Sequence, residues 1–472
     1  MNYDYHLIVI GAGSAGLVVA SAAAGLGAKV ALIEKHKMGG DCLNTGCIPS
    51  KTFLKSAHLA KEIRSAKEYG LEAKLATVDL EKVMDRVKSI VAEIAPHDSK
   101  ERYESLGVHV FFGQAVFVDS HTIQVTDNVL TSKNIVIATG SSPFVPDIKG
   151  LDTVPFLTNE TVFDVKKLPQ HLIVLGAGPI GLELGQGFCQ LGSKVSIIDR
   201  GQKLFSKDDP EVSPLMQTTL AEEGMDFHLS SSILQVAQVE SGILLTIQQG
   251  DEIKEILGDA LLVALGRKPS TQGIGLEKIG IITDSRGFIT TNSQLQTSLK
   301  HIYACGDVTG PYLFTHMAGY QARIVVQNAV FGLWKKVDLS KVAWTTYTKP
   351  EVAHVGYTEP MAHSLGLFKE SIIINLADID RAKSENDRHG FLKLIMNHKN
   401  KIIGATLVGE KAGEMIPLAS LAIEKKCKPT AFLNILFAYP SESEIFLFAA
   451  FSSIRKNFKD WQKKLLKVIF FR

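Results

Sequence analysis

Two cysteines and a lysine lie close together in a glycine-rich stretch near the amino terminus. Cys42 and Cys47 are five positions apart, and Lys51 follows Cys47 by one helical turn. A disulfide that accepts two electrons becomes a dithiol, which matches the electron count of one hydride. A thiolate here would be stabilised by a helix amino terminus and a nearby cation. We therefore interpret the cysteines as a redox pair next to a helix that Pro49 opens and that continues through Leu54.

The alternative interpretations of this pair are a buried structural pair and half of a zinc site. A zinc site needs further cysteine or histidine ligands at close spacing, and the sequence does not continue in that way. The spacing is also wider than in C-x-x-C motifs. Five cysteines in 472 residues are too few for a disulfide scaffold, which favours a reducing cytoplasm with one catalytic disulfide. Cys189, Cys305 and Cys427 are then interpreted as ordinary buried thiols.

A second pattern, typical of dinucleotide binding, occurs twice in the chain. Residues 7–35 and residues 172–200 each read as strand, glycine turn, helix, strand and acid, with 23 positions from the first glycine to the acid (34 − 11 and 199 − 176). The glycines and acid of the first copy are Gly11, Gly13, Gly16 and Glu34, and those of the second are Gly176, Gly178, Gly181 and Asp199. Such glycines let the backbone approach a pyrophosphate, and the acid is placed to bond a ribose hydroxyl. The repeat predicts two cofactor sites; a duplicated fold with one inactive site is the alternative.

The segment 39–51 resembles the redox-active segment of the flavin-dependent pyridine nucleotide–disulfide oxidoreductases, which include dihydrolipoamide dehydrogenase, glutathione reductase and mercuric reductase. The family motif reads roughly G-G-T-C-x-N-x-G-C-x-P-S-K, and this chain departs from it in having Asp41 for threonine. The resemblance implies that Cys42 is the interchange thiol that meets the acceptor and that Cys47 lies against the flavin. It also implies that Lys51 lies near the flavin N5.

The same resemblance assigns FAD to the first glycine turn and the nicotinamide cofactor to the second. Asp199 favours NAD(H), because a carboxylate repels the 2′-phosphate of NADP, whereas the adjacent Arg200 and Lys203 leave NADP(H) open. Glu183 resembles the family glutamate that pairs with the flavin-side lysine, so an ion pair with Lys51 is expected. The further cofactor contacts that the resemblance implies are Gly40, Ala115, Thr139, Gly140, Ser141, Gly266, Asp307 and Met317. Asp307 by itself would also fit a helix cap or a turn.

Length and composition are those of a soluble globular protein of about three domains. The chain is 45% hydrophobic and 21% charged, and its net charge of +2 gives no electrostatic reason to expect nucleic acid as a partner. We predict an α/β fold with two Rossmann-like domains, for FAD and NAD, and the resemblance adds a C-terminal α+β dimerisation domain that makes a homodimer. The predicted FAD domain is 1–149 with 270–340, the NAD(P) domain 150–269, the interface domain 341–453 and the tail 454–472. Within them, residues 55–106 are predicted to be helical with a break at Pro96, and short strands are predicted at 108–112, 115–118 and 122–125. The resemblance also implies that a helix opening at Thr315 points at the flavin ring, and His354, in a strand pattern, is interpreted as a satisfied core or interface histidine. No signal peptide or membrane span is expected.

The carboxyl-terminal part departs from the disulfide reductases of this family. Where dihydrolipoamide dehydrogenase and glutathione reductase carry a His-Pro motif followed five residues on by a glutamate, this chain has Tyr439-Pro440 and keeps Glu444. A histidine can take the interchange thiol's proton and return it to the leaving thiol. Tyrosine, with a reference pKa of about 10, is a poor base but can donate a hydrogen bond. Simple packing at the dimer interface is the other interpretation of Tyr439.

Three hypotheses for the function follow from these residues. The first is an NADH-dependent oxidoreductase most like dihydrolipoamide dehydrogenase, in which the partner subunit supplies Tyr439 and Glu444 to a small-molecule acceptor site. The second is a mercuric-reductase-type enzyme that reduces a metal ion or another electrophile. Mercuric reductases carry a tyrosine in this region, but also a C-terminal cysteine pair, which is not expected here because the last cysteine is Cys427. The third is a flavin-binding, membrane- or partner-associated protein with little turnover.

The tail 454–472 combines basic and apolar residues at helical spacing. Seven basic residues follow Ile454 against one acid. Ile454, Phe458, Trp461, Leu465 and Val468 recur at alternating gaps of four and three, which predicts a basic amphipathic helix. Such a helix would lie on an anionic membrane surface, or dock on its own subunit or dimer mate. We predict a cytoplasmic protein, with peripheral contact at the inner face of a membrane as the alternative.

Overall fold

The structure, a computed structural model, describes residues 3–458 and 460–470. The chain divides into two compact units: a larger unit, Met1–Arg200 with Gly224–Val337, and a smaller unit, Gly201–Glu223 with Asp338–Arg472. The finer division into FAD, NAD(P) and interface domains stays a prediction. The structure places the segment Gly201–Glu223, which the sequence assigned to the NAD(P) domain, in the smaller unit.

The elements follow one another in the order expected for two dinucleotide-binding repeats and a separate antiparallel sheet. The strands are β1 (Tyr5–Ile10), β2 (Val30–Glu34), β3 (Val108–Phe112), β4 (Ala115–Phe117), β5 (Thr122–Val125), β6 (Asn128–Ile137), β7 (Ser141–Pro143), β8 (His171–Leu175), β9 (Lys194–Ile198), β10 (Met225–His228), β11 (Ser231–Val239), β12 (Gly242–Gln249), β13 (Glu252–Gly258), β14 (Ala260–Val263), β15 (Arg267–Pro269), β16 (Ile302–Ala304), β17 (Ala343–Thr346), β18 (Glu351–Gly356), β19 (Phe368–Asn375), β20 (Phe391–Asn397) and β21 (Ile402–Gly409). The α-helices are α1 (Ser14–Gly25), α2 (Gly40–Asn44), α3 (Cys47–Ser65), α4 (Leu80–Ile94), α5 (Lys100–Ser105), α6 (Pro179–Leu191), α7 (Val212–Glu222), α8 (Thr315–Phe331), α9 (Glu359–Ser364), α10 (Asp380–Glu385), α11 (Ala412–Glu424), α12 (Ile445–Asn457) and α13 (Asp460–Phe470).

The larger unit contains one mainly parallel sheet for each glycine-turn repeat; in the first of them β5 pairs antiparallel with both β6 and β4. The first has the order β3-β2-β1-β6-β5-β4, with β16 on β6, and the second has the order β10-β9-β8-β14. The central strands β1 and β8 are continuous apolar runs with nearly all residues buried, as expected for parallel strands that are covered on both faces. Two short antiparallel strands, β7 and β15, lie where the chain passes between the two repeats. This architecture confirms the predicted α/β class with two Rossmann-like sheets.

The helix that follows the redox pair is fixed by its packing on α6. The Phe53 ring of α3 lies 4.9 Å from the ring of Phe188 on α6, centroid to centroid. A Cβ atom at Gly187 would come within 2.4 Å of the Phe53 ring, so only glycine allows this close approach. The contact holds the amino-terminal turns of α3 and α6 at a fixed separation, which matters for Lys51 and Glu183.

The smaller unit is built on one antiparallel sheet with the order β17-β18-β21-β20-β19. Its core is apolar and is completed by residues of α11 and α12. Three polar side chains on the described central strands are fully buried: His354 on β18, Lys393 on β20 and Thr406 on β21. His354 bonds the Thr406 hydroxyl at 2.7 Å and the Gly356 carbonyl at 3.1 Å, which confirms the interpretation of His354 as a satisfied core histidine.

The prediction of one amphipathic helix in the tail was wrong. Helix α12 ends at Asn457, Phe458 has an extended backbone, and α13 begins at Asp460. The break separates two environments, because α12 is held by the core of the smaller unit while most apolar residues of α13 are exposed. Lys459, Phe471 and Arg472, which belong to the predicted basic pattern, lie outside the described residues. Among the helices described here, none has the length and apolar character that crossing a membrane requires.

Candidate active site

The two glycine turns have the same geometry in both repeats. Gly11 and Gly176 have φ angles of +102° and +109°, and a Cβ atom at either would come within 2.5 Å of a carbonyl oxygen of the neighbouring strand connection. The predicted acids close the turns: Glu34 accepts a hydrogen bond from the Ala12 amide at 2.8 Å, and Asp199 accepts one from the Ala177 amide at 2.7 Å. The acids therefore stand at the mouths of the turns, as expected, and their bonds to ribose stay a prediction.

The remaining glycines of the motifs allow close backbone contacts. A Cβ at Gly16 or Gly181 would lie 2.0 Å or less from the carbonyl oxygen of the first glycine of its own turn. Gly13 and Gly178 are the N-cap residues of α1 and α6. The redox segment packs closely on the first turn: a Cβ atom at Gly40 would come within 2.6 Å of the Gly13 Cα. This backbone cradle, which any larger residue would fill, lies where the resemblance places the flavin dinucleotide.

The redox pair spans the junction between the short helix α2 and the long helix α3. Cys42 lies within α2, and Cys47 is the first residue of α3, where the amino-terminal end of the helix favours negative charge. Both are free thiols, so the structure describes the dithiol form. The Cys47 sulfur lies 3.3 Å from the Thr315 hydroxyl at the start of α8.

The two thiols differ in acidity because they share a hydrogen bond. The pKa of Cys47 is lowered to about 6 by the hydrogen bond from Cys42, with further help from Thr315 and Lys51 and against the effect of burial. The pKa of Cys42 is raised, first because its proton serves that hydrogen bond to Cys47 and then because it is partly buried. Near neutral pH the favoured state is therefore a Cys47 thiolate beside a Cys42 thiol.

Lys51 and Glu183 form the ion pair that the sequence predicted. The Lys51 ammonium lies 2.8 Å from the Glu183 carboxylate, although the residues are 132 positions apart. The Glu183 side chain is 7% exposed, so its charge is compensated by the lysine in a partly dry environment. The pair places a cation beside Cys47, which is the arrangement that stabilises a thiolate.

The predicted flavin contacts fit a bound group. The Thr139 hydroxyl is buried and has no hydrogen-bond partner in the described structure, which marks a polar atom in need of one. Gly140 and Gly266 have φ angles of +71° and +119° and face open space. Met317 is buried in the first turn of α8, and Ala115 is buried at the start of β4; their contacts with the flavin stay predictions. These observations agree with the assignment of FAD to this region.

A chain of hydrogen bonds joins Ser141 and Asp307, two predicted flavin contacts, to Arg267. The Ser141 hydroxyl donates to Asp307 at 2.6 Å, and Arg267 Nε donates to the same hydroxyl at 2.7 Å. Arg267 also lies 3.1 Å from the Asp41 carboxylate. The sequence predictions included neither Arg267 nor Thr315 as site residues. The sequence offered one signal for each residue. Arg267 directly follows Gly266, and Thr315 begins a helix that is expected to point at the flavin.

Tyr439 and Glu444 lie in the smaller unit and are not paired with each other. The Tyr439 side chain is 74% exposed and its hydroxyl donates to Asp380 at 3.3 Å. Glu444 reaches back to the Ser441 amide at 3.2 Å and completes a capping box at the start of the turn that leads into α12. The roles of both residues at the acceptor site stay predictions.

Comparison with known proteins gives the same family over nearly the whole chain. Residues 5–329 match the family model described as pyridine nucleotide-disulphide oxidoreductase, and residues 342–450 match its dimerisation domain. The chain is 36% identical to a mercuric reductase of Staphylococcus aureus over 89% of this chain and 77% of that protein. It is 32% identical to a dihydrolipoyl dehydrogenase of Geobacillus stearothermophilus over 95% of this chain and 96% of that protein.

Solved structures of similar proteins include flavoprotein disulfide reductases. The HOCl-induced flavoprotein disulfide reductase RclA from Escherichia coli matches with a TM-score of 0.84 and 28% identity, covering 94% of this chain and 99% of that one. RclA has also been solved as a Cu(II) complex, which matches with a TM-score of 0.84 and 29% identity over 94% of this chain and 98% of that one. LpdA from Mycobacterium tuberculosis matches with a TM-score of 0.86 and 28% identity, over 95% and 99% of the two chains.

The matched family models, the two glycine turns and the acidic Cys47 next to Cys42 all lead to one assignment. The chain belongs to the pyridine nucleotide-disulphide oxidoreductase family and is a flavin-dependent oxidoreductase that uses FAD and NAD(P)H.

Proposed function

We propose that the protein carries an electron pair from NADH to a small-molecule acceptor through Cys42 and Cys47. FAD, when bound, would provide the redox group through which electrons pass from the nicotinamide to the disulfide. When a disulfide takes up a hydride equivalent, the sulfur–sulfur bond breaks and one thiolate and one thiol result. That product is the state that the site favours, with the pKa of Cys47 lowered to about 6 and that of Cys42 raised. This match is the observation that carries the proposal.

Each residue of the proposed site then has a definite task. Cys47 holds the negative charge, and its neighbours Lys51 and Thr315 stabilise that charge. Cys42 keeps the proton and is the thiol that attacks the acceptor. Glu183 keeps Lys51 in place. The intact redox pair and this ion pair argue against a flavin-binding protein with little turnover.

For the nicotinamide cofactor we propose NADH rather than NADPH. The support is Asp199, whose carboxylate stands at the mouth of the second glycine turn and would repel a 2′-phosphate.

The acceptor that we propose first is a disulfide or dithiol of the kind used by dihydrolipoyl dehydrogenase. Exchange with a disulfide acceptor requires that the Cys42 proton be removed and later returned to the leaving sulfur. The raised pKa of Cys42 makes that proton harder to remove. A tyrosine at 439 is a poorer base for this step than the histidine of the disulfide reductases.

The second candidate, reduction of a metal ion or another electrophile, is favoured by Tyr439. A mercuric reductase is among the similar proteins, and the structural neighbour RclA has been solved as a Cu(II) complex. Reduction of such an acceptor releases no thiolate that has to be protonated. It therefore needs no histidine at position 439. The two candidates therefore differ in whether a general base at this position raises the rate.

Turnover with lipoamide separates the two candidates. For Tyr439→His we expect NADH oxidation with lipoamide to rise about 100-fold, the lower end of what a positioned general base contributes. Tyr439→Phe is the matched control, since it removes the hydroxyl without adding a base. Fast wild-type turnover that histidine does not improve would show that lipoamide-type acceptors are handled without a base. A slow wild type that histidine leaves slow would remove the disulfide acceptor and direct the assay to metal ions.

For the quaternary structure we propose a homodimer. The matched dimerisation domain supports it, and so does a set of exposed apolar side chains in the smaller unit. Leu436 is fully exposed, and Phe448 and Phe451 on α12 are 39% and 44% exposed in the single chain. In a dimer of this kind, Tyr439 and Glu444 of one chain would face the redox pair of the other.

For the tail we propose peripheral contact with an anionic membrane, within a cytoplasmic protein. The apolar residues Trp461, Leu465 and Val468 of α13 are each more than half exposed, and Lys464 and Lys467 are exposed on the same helix. An exposed apolar stripe with lysines beside it is the composition of helices that lie in a lipid interface. Docking of α13 on a dimer mate is the competing explanation.

Sedimentation with liposomes distinguishes the two explanations for α13. We expect the full chain to partition with vesicles that contain phosphatidylserine and to lose most of this binding in a version that ends after Asn457, which keeps α12 and removes α13. Neutral phosphatidylcholine vesicles are the control and should bind little, because the lysine contribution disappears. Equal partitioning of the two versions would rule out membrane contact through the tail.

A further inference from the structure

Asp41, the residue by which the redox segment departs from its family motif, is held firmly next to Cys42. Its carboxylate accepts hydrogen bonds from the Thr45 hydroxyl at 2.6 Å and the Asn159 amide at 3.1 Å. The other carboxylate oxygen lies 3.1 Å from the Arg267 guanidinium. Three donors therefore face this carboxylate and fix its orientation.

Arg267 connects this carboxylate to the β7–β15 strand pair, where the chain passes between the two repeats. It is the first residue of β15, which pairs with β7, and it donates to the Ser141 hydroxyl and to the Ser141 carbonyl at 2.7 and 2.9 Å. Its side chain is 11% exposed and also lies 3.8 Å from Asp307. Arg267 is thus a shared counter-charge for two carboxylates in a largely dry setting, Asp41 on one side and Asp307 on the other.

The Asp41 side chain also lies against the residue that precedes Cys47. A Cβ atom at Gly46 would come within 3.1 Å of the Asp41 carboxylate and 2.9 Å of the Asp41 carbonyl oxygen. The carboxylate therefore packs against the turn between the two cysteines. Thr45, its hydrogen-bond partner, belongs to the same turn.

We propose that Asp41 is a positioning residue of the redox centre, which locks the Cys42 helix to Arg267 and tunes the charge state of the redox pair through its fixed negative charge. This inference rests on the proposed function, because it concerns the same two thiols. It goes further in giving a role to the one residue in the redox segment that the family motif does not explain.

The charges around Cys47 fix the sign of the expected effect. From α2, Cys42 donates a hydrogen bond and Asp41 contributes a negative charge; from α3, Lys51 contributes a positive charge that Glu183 on α6 partly offsets. Thr315 on α8 is neutral, and the charges of Arg267 and Asp307 lie beyond Asp41. Asp41 disfavours the Cys47 thiolate, so removal of its charge should lower the pKa of Cys47. Release of Arg267 from its partner acts in the same direction.

The experiment is a pH titration of the thiolate-to-flavin charge-transfer band in the holoenzyme after anaerobic reduction by NADH. We expect the midpoint of the band in Asp41→Asn to lie about half a unit to one unit below that of the wild type. The asparagine keeps the shape of the side chain and can still accept from Thr45. A midpoint that is unchanged or higher would overturn the inference.

Two further variants separate an effect of charge from an effect of structure. Arg267→Met breaks the same contact but leaves the Asp41 charge uncompensated, so we expect its midpoint to move upward. A purely structural role of the contact would move both variants in the same direction. If Arg267→Met binds flavin poorly, Lys51→Met takes its place. It removes the cation beside Cys47 and shows the size of an upward shift of the midpoint. A wild type without any band would contradict the proposed function itself, whereas a band with the same midpoint in Asp41→Asn contradicts only this inference.

Discussion

Replacement of Cys47 by serine will abolish the charge-transfer band that NADH produces anaerobically in the wild type. It will also lower turnover by about 10³-fold or more, as expected when a covalent participant is lost. The reason is that Cys47, at the first position of α3 and beside Lys51, is the sulfur that carries the charge. Absorbance spectra during anaerobic titration with NADH measure the band directly.

Variants of two other cysteines test whether the loss of the band is specific to Cys47. Cys42→Ser should also lose turnover, but it should show the band before NADH is added, because without a disulfide the Cys47 thiolate is present beside the oxidised flavin and a serine hydroxyl can still donate to it. Cys427→Ser, a change to a thiol outside the pair, should match the wild type in both respects. In the wild type the band should fade as the pH is lowered through about 6, since a thiolate with a lowered pKa is lost only when the pH falls below it. A band that survives in Cys47→Ser would mean that the two thiols have the opposite roles.

Replacement of Lys393 by methionine will destabilise the smaller unit by about 3 kcal/mol, because it leaves the buried carboxylate of Asp209 and the partly exposed ones of Glu211 and Glu359 without their cation. The Lys393 ammonium, with no exposed side-chain surface, lies 2.8 Å from Glu211 and from Glu359 and 3.4 Å from Asp209. Burial opposes its charge, yet these carboxylates outweigh burial and raise the pKa of Lys393. The lysine is therefore charged throughout the range in which the protein would be used.

Trp344 offers a local probe for this prediction, because its indole donates to Asp208 at 2.8 Å within the same unit. Urea unfolding followed by tryptophan fluorescence should show an earlier transition in Lys393→Met. Lys383→Met is the control: Lys383 is half exposed and pairs with Asp380 at 3.2 Å, so its loss should cost no more than about 1 kcal/mol. If the two variants unfold at the same urea concentration, Lys393 does not anchor the unit.

The elements whose signal is local could be predicted from the sequence. The strands Val108–Phe112 and Thr122–Val125 have the predicted bounds, and a helix begins at Thr315 as expected. Both glycine turns have the predicted form, because a tight turn with a positive φ angle at the first glycine leaves few other residues possible. Local signals failed where a long helical pattern was read as continuous. Residues 71–79 interrupt the helices predicted over 55–106, and the described helical residues of the tail belong to the end of α12 and to a separate helix, α13.

The sequence by itself determined the chemistry of the site: a redox pair, a lysine one turn later and two dinucleotide turns, each with its acid. These features are set by residue type and short spacing, so they could be recognised without coordinates. Only the tertiary structure decided which distant charges meet. It brings Arg267 to Asp41 and, through Gly201–Glu223, covers Lys393 with carboxylates. No local pattern could show this, because a charged residue on a strand or in a turn looks solvent-exposed until the segment that packs against it is known.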